Sequence, residues 1–471
     1  METINKMYVN GVFEELHGTE VAELINPATN ELIGQVTFAD EHDTDKAVLA
    51  AKEAFKTFSK TTKAERLVYL QRLYDAVMKR QEDLVNATIE EYGAPRQRAV
   101  WSNQAAAQSF LQFKEVLKDF ALVQYLGKSK VLLEPMGVVA VFTSWNSNSG
   151  SICVKLGAII AAGCTAVIKP SELSGIQTQI LTECFHDAGL PAGVINVLNG
   201  RGNIVGPALT NHPDITKIAF TGSTPVGKMI AKGAVDTMKR LLLELSGKSA
   251  NIILPDADFI TAIPMAVSGC FMNNGQACIA ASRLIVPENR LEEVKQLIIQ
   301  AVETFKVGNP KKESTTIGPV VSKKQFDNVQ QYIKSGLQEG AELLTGGEGH
   351  PKGLENGNFV KPTVFTNVTS NMRIAREEIF GPVLSVLTYA TEQEAIAIAN
   401  DTKYGLMAYV SSTDLKRAEQ VASQLVAGRV LINTLNHDPF VPFGGFKESG
   451  IGREGGIYGL QEFLEPKAII S

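Results

Sequence analysis

The chain has 471 residues, of which 44% are hydrophobic and 20% are charged, and its formal net charge at pH 7 is −5. This length predicts two large lobes or a few domains with a sizeable core, and the composition is typical of a globular protein. No run of basic residues is present that could neutralise a phosphate backbone, so nucleic-acid binding is not expected.

The cysteines and histidines give no sign of cross-links or metal ligands. The five cysteines form no C-x-x-C pair, and the six histidines never fall at ligand spacing, so we expect neither a disulfide framework nor a metal. The start METINKMYVNG lacks the apolar segment of a secretory signal, and the longest nearly uncharged apolar stretch, 156–168, is too short to span a bilayer. We therefore expect a cytoplasmic protein with no membrane segment.

The first part of the chain is mainly helical by the spacing of its apolar residues. The first forty residues indicate short strands and turns, and helical spacing then predicts a helix over 43–58. A second helical zone runs from 63 to 91 and stops where Gly93 and Pro95 would end a helix. A third helical zone is expected from about 95 to 120.

From 137 to 245 the chain alternates between strands and helices. Continuous apolar runs predict strands over 138–142, 165–168, 193–198, 217–220 and 241–245. Such runs suit a parallel sheet that is buried on both faces, so the repeating unit predicts a doubly wound α/β domain.

A second α/β pattern follows this domain. It begins with a predicted helix over 256–274, a strand over 283–287 and a helix over 291–305. A glycine-rich region, TGGEGHPKGLENGNF, precedes further strands and helices to about 430. The sequence therefore predicts two α/β lobes, a glycine-rich tail and a short final strand, without an internal repeat.

Cys278 is the first candidate for chemistry. It closes the run Asn-Asn-Gly-Gln-Ala-Cys just past the end of a predicted helix. A cysteine there can be partly exposed, and backbone N–H groups can stabilise its thiolate. The alternative is a small buried hydrophobic residue, which is the commoner role of a single cysteine.

Glu244 is the second candidate, because it lies in the apolar run 241–245. Burial there would raise the pKa of its carboxyl group and suit it to work as a general base near neutral pH. An ion pair with a lysine or arginine is an equally good explanation of this position.

Four shorter motifs end predicted elements, and each also fits an ordinary turn or helix cap. The run 220–227, FTGSTPVG, places a helix start where a pyrophosphate could bind, although it is not the G-x-G-x-x-G fingerprint. Lys169 and Glu172 could face a ribose, and the Asn146 amide could donate to an oxyanion. The run 377–382, EEIFGP, resembles a helix end broken by Gly-Pro.

Together, in this order and spacing, these motifs resemble the aldehyde dehydrogenase superfamily. The matching runs extend over nearly the whole chain: INPAT, WN, KPSE, FTGSTPVG, LEL-x-GKS, NNGQ-x-C-x-A-x-SR, EEIFGPV, NDTKYGL and PFGGFKESG. The resemblance implies an NAD(P)+-dependent, non-acylating enzyme that oxidises a small-molecule aldehyde, and a homodimer or homotetramer.

The same resemblance implies an α/β fold in three parts. These are an atypical Rossmann cofactor domain at 1–118 and 137–245, an α/β catalytic domain at 246–448, and a small β oligomerisation module at 119–136 and 449–471. The module would consist of a hairpin near 119–136 and a strand near 463–470.

Residue roles also follow from the resemblance. Cys278 is expected to be the nucleophile, Glu244 the general base, Asn146 an oxyanion donor with the Cys278 backbone N–H, and Lys155 a lysine near the base. The residues expected at the cofactor are Trp145, Lys169, Ser171, Glu172, Gly222, Ser223, Glu378 and Phe380. NAD is expected rather than NADP, although NADP stays open, because Glu172 would crowd a 2′-phosphate.

The chemistry agrees with these roles. Attack by the Cys278 thiolate turns an aldehyde into a thiohemiacetal, whose oxyanion can expel a hydride to the nicotinamide. Donors on that oxygen stabilise the charge where it develops, typically by about 3 kcal/mol each. Glu244 would then activate water to hydrolyse the thioester.

Several positions depart from the family pattern. Ser144 stands where a proline usually precedes Trp-Asn, the run 147–151 replaces an aromatic residue and a proline, and Ser246 replaces a glycine. The residues expected in the substrate pocket are Ser147, Ser151, Ala277, Asn436, His437 and Phe443. This pocket is polar for the family, so we expect a polar or functionalised aldehyde, with low activity as the alternative reading of the departures.

Two other functions are open from the sequence. A CoA-acylating semialdehyde dehydrogenase of the same fold would pass the thioester to CoA, but such enzymes commonly lack the base that Glu244 supplies. A non-catalytic member with a structural or binding role would keep the fold alone, and the presence of Cys278, Glu244 and Asn146 argues against it.

Overall fold

The computed structural model describes residues 2–470 and contains four β-sheets with helices packed around them. No helix within residues 2–470 is both long and apolar enough to cross a bilayer. The N-terminal elements are β1 (Glu2–Ile4), β2 (Lys6–Val9), β3 (Val12–Glu15), β4 (Val21–Ile25), β5 (Leu32–Thr37), α1 (Glu41–Phe58), α2 (Lys63–Lys79), α3 (Gln81–Tyr92) and α4 (Arg96–Asp119).

The next part of the chain builds most of the largest sheet. Its elements are β6 (Val123–Leu126), β7 (Ser129–Pro135), β8 (Val138–Phe142), α5 (Asn148–Ala162), β9 (Thr165–Lys169), α6 (Gly175–Asp187), β10 (Ile195–Val197), α7 (Val205–Asn211), β11 (Lys217–Thr221), α8 (Thr224–Ala234) and β12 (Arg240–Glu244).

The second lobe and a tail follow. The elements of the second lobe are β13 (Ala250–Ile253), α9 (Phe259–Phe271), β14 (Arg283–Pro287), α10 (Leu291–Glu303), α11 (Lys323–Gln338), β15 (Glu342–Thr345), β16 (Thr363–Thr366), α12 (Arg373–Arg376), β17 (Val383–Tyr389), α13 (Glu392–Asn400), β18 (Met407–Ser411), α14 (Leu415–Ala422) and β19 (Arg429–Ile432). Those of the tail are β20 (Gly450–Ile451), α15 (Gly456–Gln461) and β21 (Leu464–Ile469).

The eight-stranded sheet has the order β20-β12-β11-β8-β9-β10-β2-β3. The five strands from β12 to β10 are parallel, as the continuous apolar runs predict. In β8, Val139 and Val141 belong to the core cluster on one face, whereas Val138, Ala140 and Phe142 belong to the cluster on the other. The prediction of a parallel sheet buried on both faces is confirmed.

The second lobe contains a seven-stranded sheet in the order β15-β16-β17-β14-β13-β18-β19. Every pair in it is parallel except the β15–β16 pair at one edge. Its core is also divided, since Ile285 of β14 packs on one face while Leu284 and Val286 pack on the other.

A separate three-stranded sheet joins the middle of the chain to its end. The hairpin β6–β7 lies within the range 119–136, and β21 pairs antiparallel with β7 from Leu464↔Pro135 to Ile469↔Lys130. The tail also contributes Gly450–Ile451 to the edge of the eight-stranded sheet, where it pairs with β12. The proposed module at 449–471 therefore includes one strand that joins the cofactor-side sheet.

Several element boundaries differ from the sequence predictions. The zone 63–91 is two helices, because Arg80, with φ −105° and ψ 19°, ends α2 and precedes α3. The helix predicted over 256–274 ends at Phe271, since the following Asn273 and Asn274 adopt left-handed backbone angles. The strand predicted over 193–198 is limited to Ile195–Val197.

Candidate active site

The candidate residues of the first lobe collect at one edge of the eight-stranded sheet. β12, β11, β8 and β9 are parallel neighbours, so their carboxyl ends meet at the same edge. Glu244 ends β12, Lys169 ends β9, Gly222 follows β11 and Asn146 follows β8. Ligands of open α/β sheets bind at such edges, beyond the carboxyl ends of the strands.

The segment before Cys278 is held in one conformation by its amides. Asn273 and Asn274 have φ values of 55° and 59°, a region that asparagine tolerates better than most residues. The Asn274 side chain accepts from Gly318 N at 2.7 Å and donates to Gly93 O at 3.1 Å. Gln276 Oε1 accepts from Val321 N at 3.0 Å. These hydrogen bonds hold the NNGQ segment, which leads to Cys278, against the second lobe and against the C-terminal end of α3.

Two glycines allow other motifs to touch this segment. A Cβ on Gly247 would lie 2.3 Å from the carbonyl oxygen of Cys278, and a Cβ on Gly275 would lie 2.1 Å from the carbonyl carbon of Gly381. The glycine of the GKS run and that of the NNGQ run are thus needed for close backbone packing. These contacts join the cysteine segment to the strand that carries Glu244 and to the EEIFGPV run.

Asn146 lies beside the cysteine segment with its amide oriented by two contacts. Its Nδ2 donates to Gln276 O at 2.9 Å, and its Oδ1 accepts from Ser144 Oγ at 2.8 Å. Asn273 Nδ2 also donates to the backbone oxygen of Asn146 at 3.0 Å. Ser144, a departure from the family pattern, therefore directs the Asn146 N–H groups toward the Cys278 segment.

Cys278 is partly accessible, whereas the other four cysteines are buried. Its surroundings raise the pKa of the thiol to about 12, first through burial and then through the negative charges of Glu378 and Glu244. Its backbone N–H acts in the opposite direction but is outweighed. The expected stabilisation of the thiolate by a backbone N–H is therefore present, but burial and the two carboxylates decide the net direction of the thiol pKa.

Glu244 is buried, at 4% exposure, and neither of its carboxylate oxygens has a hydrogen-bond partner within residues 2–470. Burial, followed by the charge of Glu454, raises the pKa of Glu244 well above the ordinary range. A Cβ on Gly444 would lie 2.7 Å from Glu244 Oε1, so the PFGG run packs directly on the carboxylate. A buried carboxylate with unused acceptors is suited to take a proton from water or a thiol.

Lys155 is almost fully buried, at 1% exposure, and lies within electrostatic range of Glu244, where its charge lowers the carboxyl pKa. Its Nζ lies 2.6 Å from Glu454 Oε1 and 2.5 Å from Thr221 Oγ1. The sequence analysis did not find Glu454. No motif marks it, and the bridge between Phe443 and Glu454 helps to place it beside Lys155.

The KPSE residues form a compact polar group after β9. Lys169 Nζ donates to Pro170 O at 2.8 Å and lies 3.4 Å from Glu172 Oε1. The same carboxylate oxygen accepts from Gly202 N at 2.6 Å. Ser171 is buried, and its Oγ accepts from Leu173 N at 3.3 Å, so it shapes the turn. Glu172 keeps a second oxygen for a hydroxyl group.

The FTGSTPVG run turns from β11 into α8. Gly222 N donates to Glu244 O at 3.0 Å, which holds the turn against β12. Ser223 is the N-cap of α8, is exposed, and makes no side-chain capping bond. The N-terminus of α8 therefore lacks a side-chain cap, which leaves it suited to a pyrophosphate.

Glu378 is placed by the LEL-x-GKS run. Its carboxylate accepts from Gly247 N at 3.0 Å, and this bond and the nearby Ser246 hydroxyl lower its pKa, although burial raises it overall. Phe380, at φ 56°, packs edge-on against Trp145 with a centroid distance of 5.3 Å.

The expected pocket residues fall into two groups. Ala277 precedes the sulfur, and Phe443 packs in one cluster with Cys278, Leu431 and Leu435. Ser147 is the N-cap of α5, and Ser151 lies in the first turn, where its N–H donates to Ser147 O at 2.8 Å. The serine-rich run is therefore the start of a helix. Leu435 was missed, since an isolated leucine carries no sequence signal.

His437 and Asn436 lie on the loop between β19 and the PFGG run. Asn436 is exposed, whereas His437 is partly buried and its Nδ1 lies 3.3 Å from Arg429 Nη1. Burial and the neighbouring arginines lower the pKa of His437 to about 4, so its ring is neutral at physiological pH.

Comparison with known proteins matches this arrangement to one family. The model of the aldehyde dehydrogenase family matches residues 14–469. A 3-succinoylsemialdehyde-pyridine dehydrogenase of a Pseudomonas species is 43% identical over 472 residues, covering 100% of this chain and 99% of that protein. A putative aldehyde dehydrogenase of Staphylococcus saprophyticus is 44% identical over 470 residues, covering 100% of this chain and 99% of that protein.

Solved structures agree with the fold as well. Aldehyde dehydrogenase C of Pseudomonas syringae, in complex with NAD+ and octanal, has a TM-score of 0.98 at 44% identity, covering 99% of this chain and 96% of that chain. Betaine aldehyde dehydrogenase of Staphylococcus aureus, in complex with NAD+, has a TM-score of 0.96 at 34% identity, covering 99% and 94%. The expected fold class is confirmed, and the chain belongs to the aldehyde dehydrogenase family.

Proposed function

We propose that this enzyme oxidises an aldehyde to a carboxylate with NAD+, using Cys278 as nucleophile and Glu244 as general base. The observation that carries the proposal is the partly accessible sulfur held beside a buried carboxylate with two unused acceptor oxygens. Both groups lie where the cysteine segment meets the carboxyl ends of the parallel strands.

The first step is attack of the Cys278 sulfur on the aldehyde carbon. The S–H bond breaks, Glu244 accepts its proton, and a C–S bond forms as the carbonyl oxygen becomes an oxyanion. Asn146 Nδ2 and the Cys278 backbone N–H donate to that oxygen. Ser144 supports this by holding the Asn146 amide in place through its 2.8 Å bond.

The second half of the reaction releases the product. NAD+, when bound, accepts the hydride that leaves the carbon of the thiohemiacetal, so that Cys278 carries a thioester. After returning its first proton to solvent, Glu244 takes a proton from water, whose oxygen attacks the thioester carbon. The C–S bond breaks, the sulfur regains a proton, and the carboxylate product leaves.

The residues at the strand ends fit NAD+. The N-terminus of α8, which has no side-chain cap, suits a pyrophosphate, and the unused oxygen of Glu172 beside Lys169 suits the hydroxyls of the adenosine ribose. Glu378 and Phe380 would hold the nicotinamide end. Glu172 would repel a 2′-phosphate, so NAD is preferred over NADP, and solved relatives are complexes with NAD+.

Steady-state assays test this function. With NAD+ and a panel of aldehydes, and without CoA, we expect formation of the reduced cofactor, and a CoA requirement would instead favour the acylating reaction. Cys278→Ala should lower kcat by at least about 1000-fold, as expected for loss of a nucleophile. Cys184→Ala, which removes a buried thiol on α6, serves as the control. Equal activity of the two variants would overturn the proposal.

A homo-oligomer fits the three-stranded sheet at the chain's end. Tyr125 and Leu126 of the hairpin are 71% and 67% exposed, and Ile470 is 81% exposed. Exposed apolar residues on a small sheet are typical of subunit contacts. Light scattering should show a dimer or tetramer, and Leu126→Glu should shift it toward a smaller species. A monomeric parent protein would contradict this assignment.

The cytoplasm is the proposed location. All five cysteines are unpaired thiols, which suits a reducing compartment. Cell fractionation tests this, and recovery in a membrane or exported fraction would contradict it.

A further inference from the structure

Two arginines contact residues that neighbour the reacting sulfur: Arg98 contacts Asn273, and Arg429 lies over the ring of Phe443. Arg98 lies in the first turn of α4, and Arg429 begins β19. His437 contacts Arg429, with its Nδ1 3.3 Å from Arg429 Nη1, and is within electrostatic range of Arg98. None of the catalytic or cofactor roles assigned above uses these three side chains.

Arg98 has a charge without a counter-ion in the described part of the chain. Its Nε approaches Asn273 Oδ1 at 3.4 Å, its guanidinium lies 4.2 Å from the centroid of Trp101, and no carboxylate pairs with it. Its two terminal NH2 groups therefore remain as donors. A half-buried guanidinium without an anion is costly unless a ligand completes its contacts.

The contact between Arg429 and His437 leaves one ring N–H of His437 as a hydrogen-bond donor. Arg429 donates to Val441 O at 2.8 Å and to Pro442 O at 2.9 Å, which fixes its position. Because Arg429 Nη1 donates to His437 Nδ1, the neutral ring of His437 carries its proton on Nε2. That Nε2 is buried and has no partner within residues 2–470.

The two arginines differ in the negative charge that surrounds them. Asp438 and Glu244 both act on Arg429, so much of its charge is balanced. Arg98 feels only the phenol of Tyr92, which is not ionised at neutral pH because burial raises its pKa. Arg98 is therefore the group that most favours a negatively charged ligand.

Contacts connect these groups to the reaction site. Arg98 touches Asn273, which donates to the backbone of the oxyanion donor Asn146. Arg429 lies over the ring of Phe443 at 5.4 Å, and Phe443 packs in the cluster of Cys278. Trp101, on which Arg98 stacks, is 55% exposed, and Arg98 itself is half-buried.

We propose that the substrate is an aldehyde with a carboxylate at its far end, and that Arg98 and the Nε2–H of His437 bind this carboxylate. The proposal rests on the oxidation of aldehydes proposed above and names its substrate class. The terminal NH2 groups of Arg98 can bind two carboxylate oxygens, which a neutral alkyl chain cannot replace.

Matched aldehydes test this directly. Chains of equal length that end in either a carboxylate or a methyl group, such as 4-oxobutanoate and butanal or 7-oxoheptanoate and heptanal, are compared with NAD+. We expect kcat/KM to favour the carboxylated member of at least one pair by about tenfold or more. Arg98→Met should abolish the preference through a higher KM for the carboxylated member, measured as the ratio of the two kcat/KM values within the same variant.

Arg96→Met is the control, because Arg96 lies two residues away but is already paired with Glu82 at 2.7 Å. It removes the same charge and should keep the preference. Thermal unfolding of both variants shows that they are folded. Equal or better use of neutral aldehydes by the parent enzyme, or an unchanged preference in Arg98→Met, would overturn the inference while the proposed oxidation stands.

Labelling of Cys278 provides a readout without turnover. Glutarate should protect the thiol from iodoacetamide in the parent protein and not in Arg98→Met, whereas 1,5-pentanediol should not protect either. If no aldehyde yields reduced cofactor, the proposed function fails, and the glutarate result alone then decides whether this anion site exists. Absence of protection would reject it.

Discussion

Ser144, which departs from the family pattern, acts through a hydrogen bond to a candidate catalytic side chain. Its hydroxyl donates to Asn146 Oδ1 at 2.8 Å. From the sequence, this departure could also indicate an enzyme of low activity. The structure instead gives the hydroxyl a partner to which the usual proline could not donate.

Ser144→Ala should lower kcat by roughly threefold to tenfold, a fraction of the hundredfold or larger loss expected when an oxyanion donor itself is removed. The reason is that the Asn146 amide loses one of its two orienting contacts. Steady-state kinetics with a single good substrate measures the effect. Ser423→Ala, which removes an exposed hydroxyl at the end of α14, is the control. An unchanged kcat in Ser144→Ala would show that the amide is held without this hydroxyl.

The pH dependence of the reaction should report Glu244. A general base works only when deprotonated, and burial with Glu454 raises its pKa, so activity should be low in acid and rise with pH through a value above the ordinary glutamate range. Rates of thioester hydrolysis measured from pH 5 to pH 9 test this expectation.

Glu244→Gln should remove that pH limb and slow hydrolysis by roughly 100-fold to 10,000-fold. Rapid mixing should show that the first turnover is slowed as well, because the variant cannot take the proton of the Cys278 thiol. A full burst of reduced cofactor at the parent rate would show that another group takes this proton and that Glu244 acts only in hydrolysis.

At the scale of elements, the side chain of Arg66 stabilises the C-terminal end of helix α5, which lies at the candidate active site. The helix contains Lys155 and ends at Gly163, with φ 85°. Arg66 Nη1 donates to Ala162 O at 2.7 Å and Nη2 donates to Ser59 O at 3.1 Å. The guanidinium thus satisfies helix carbonyls that would otherwise be buried without a partner.

Gly163→Ala should lower the free energy of unfolding by about 2 to 4 kcal/mol. An alanine at positive φ is strained, and its Cβ would lie 2.3 Å from Arg66 Cζ, which would displace the buried guanidinium. Gly189→Ala is the matched control, because Gly189 has φ 64° but open space around it, and only the strain of about 1 to 2 kcal/mol applies. Equal losses in denaturant unfolding would show that the Arg66 contact adds nothing.

At the scale of the whole molecule, the tail of the chain returns to the first lobe and closes its sheet. Lys217 of β11 is 1% exposed, and its Nζ lies 2.8 Å from Glu462 Oε2, which follows α15. The same tail supplies β20 to the sheet edge and β21 to the hairpin β6–β7. One buried ion pair therefore ties the C-terminal segment to the strand that leads to the cofactor site.

Glu462→Ala should destabilise the protein by about 2 to 4 kcal/mol, because it leaves the Lys217 ammonium buried without its counter-ion. Lys217→Met in the same chain should recover part of this loss, since the uncompensated charge is then gone. Chemical unfolding of the two single variants and the double variant measures the coupling. Additive losses would mean that the two side chains do not stabilise each other.

The sequence alone determined the elements and the family. Long apolar runs and helical spacing predicted the parallel strands β8 to β12 and the helices around them, because burial on both faces leaves a local pattern. The spaced motifs predicted Cys278, Glu244 and Asn146 as a group. Boundaries such as Arg80 and the turn at Asn273 were less visible, because backbone angles there depend on contacts from distant segments.

Only the tertiary structure decided which other side chains lie near the candidate active site. Glu454 reaches Lys155 from 299 positions away along the chain, and Arg98 reaches the cysteine segment from a helix with no motif of its own. The pKa of Cys278 is raised rather than lowered, because burial and carboxylate charges from two lobes outweigh its local backbone. Such effects depend on the distances between residues that are far apart in the sequence, so a local sequence pattern does not reveal them.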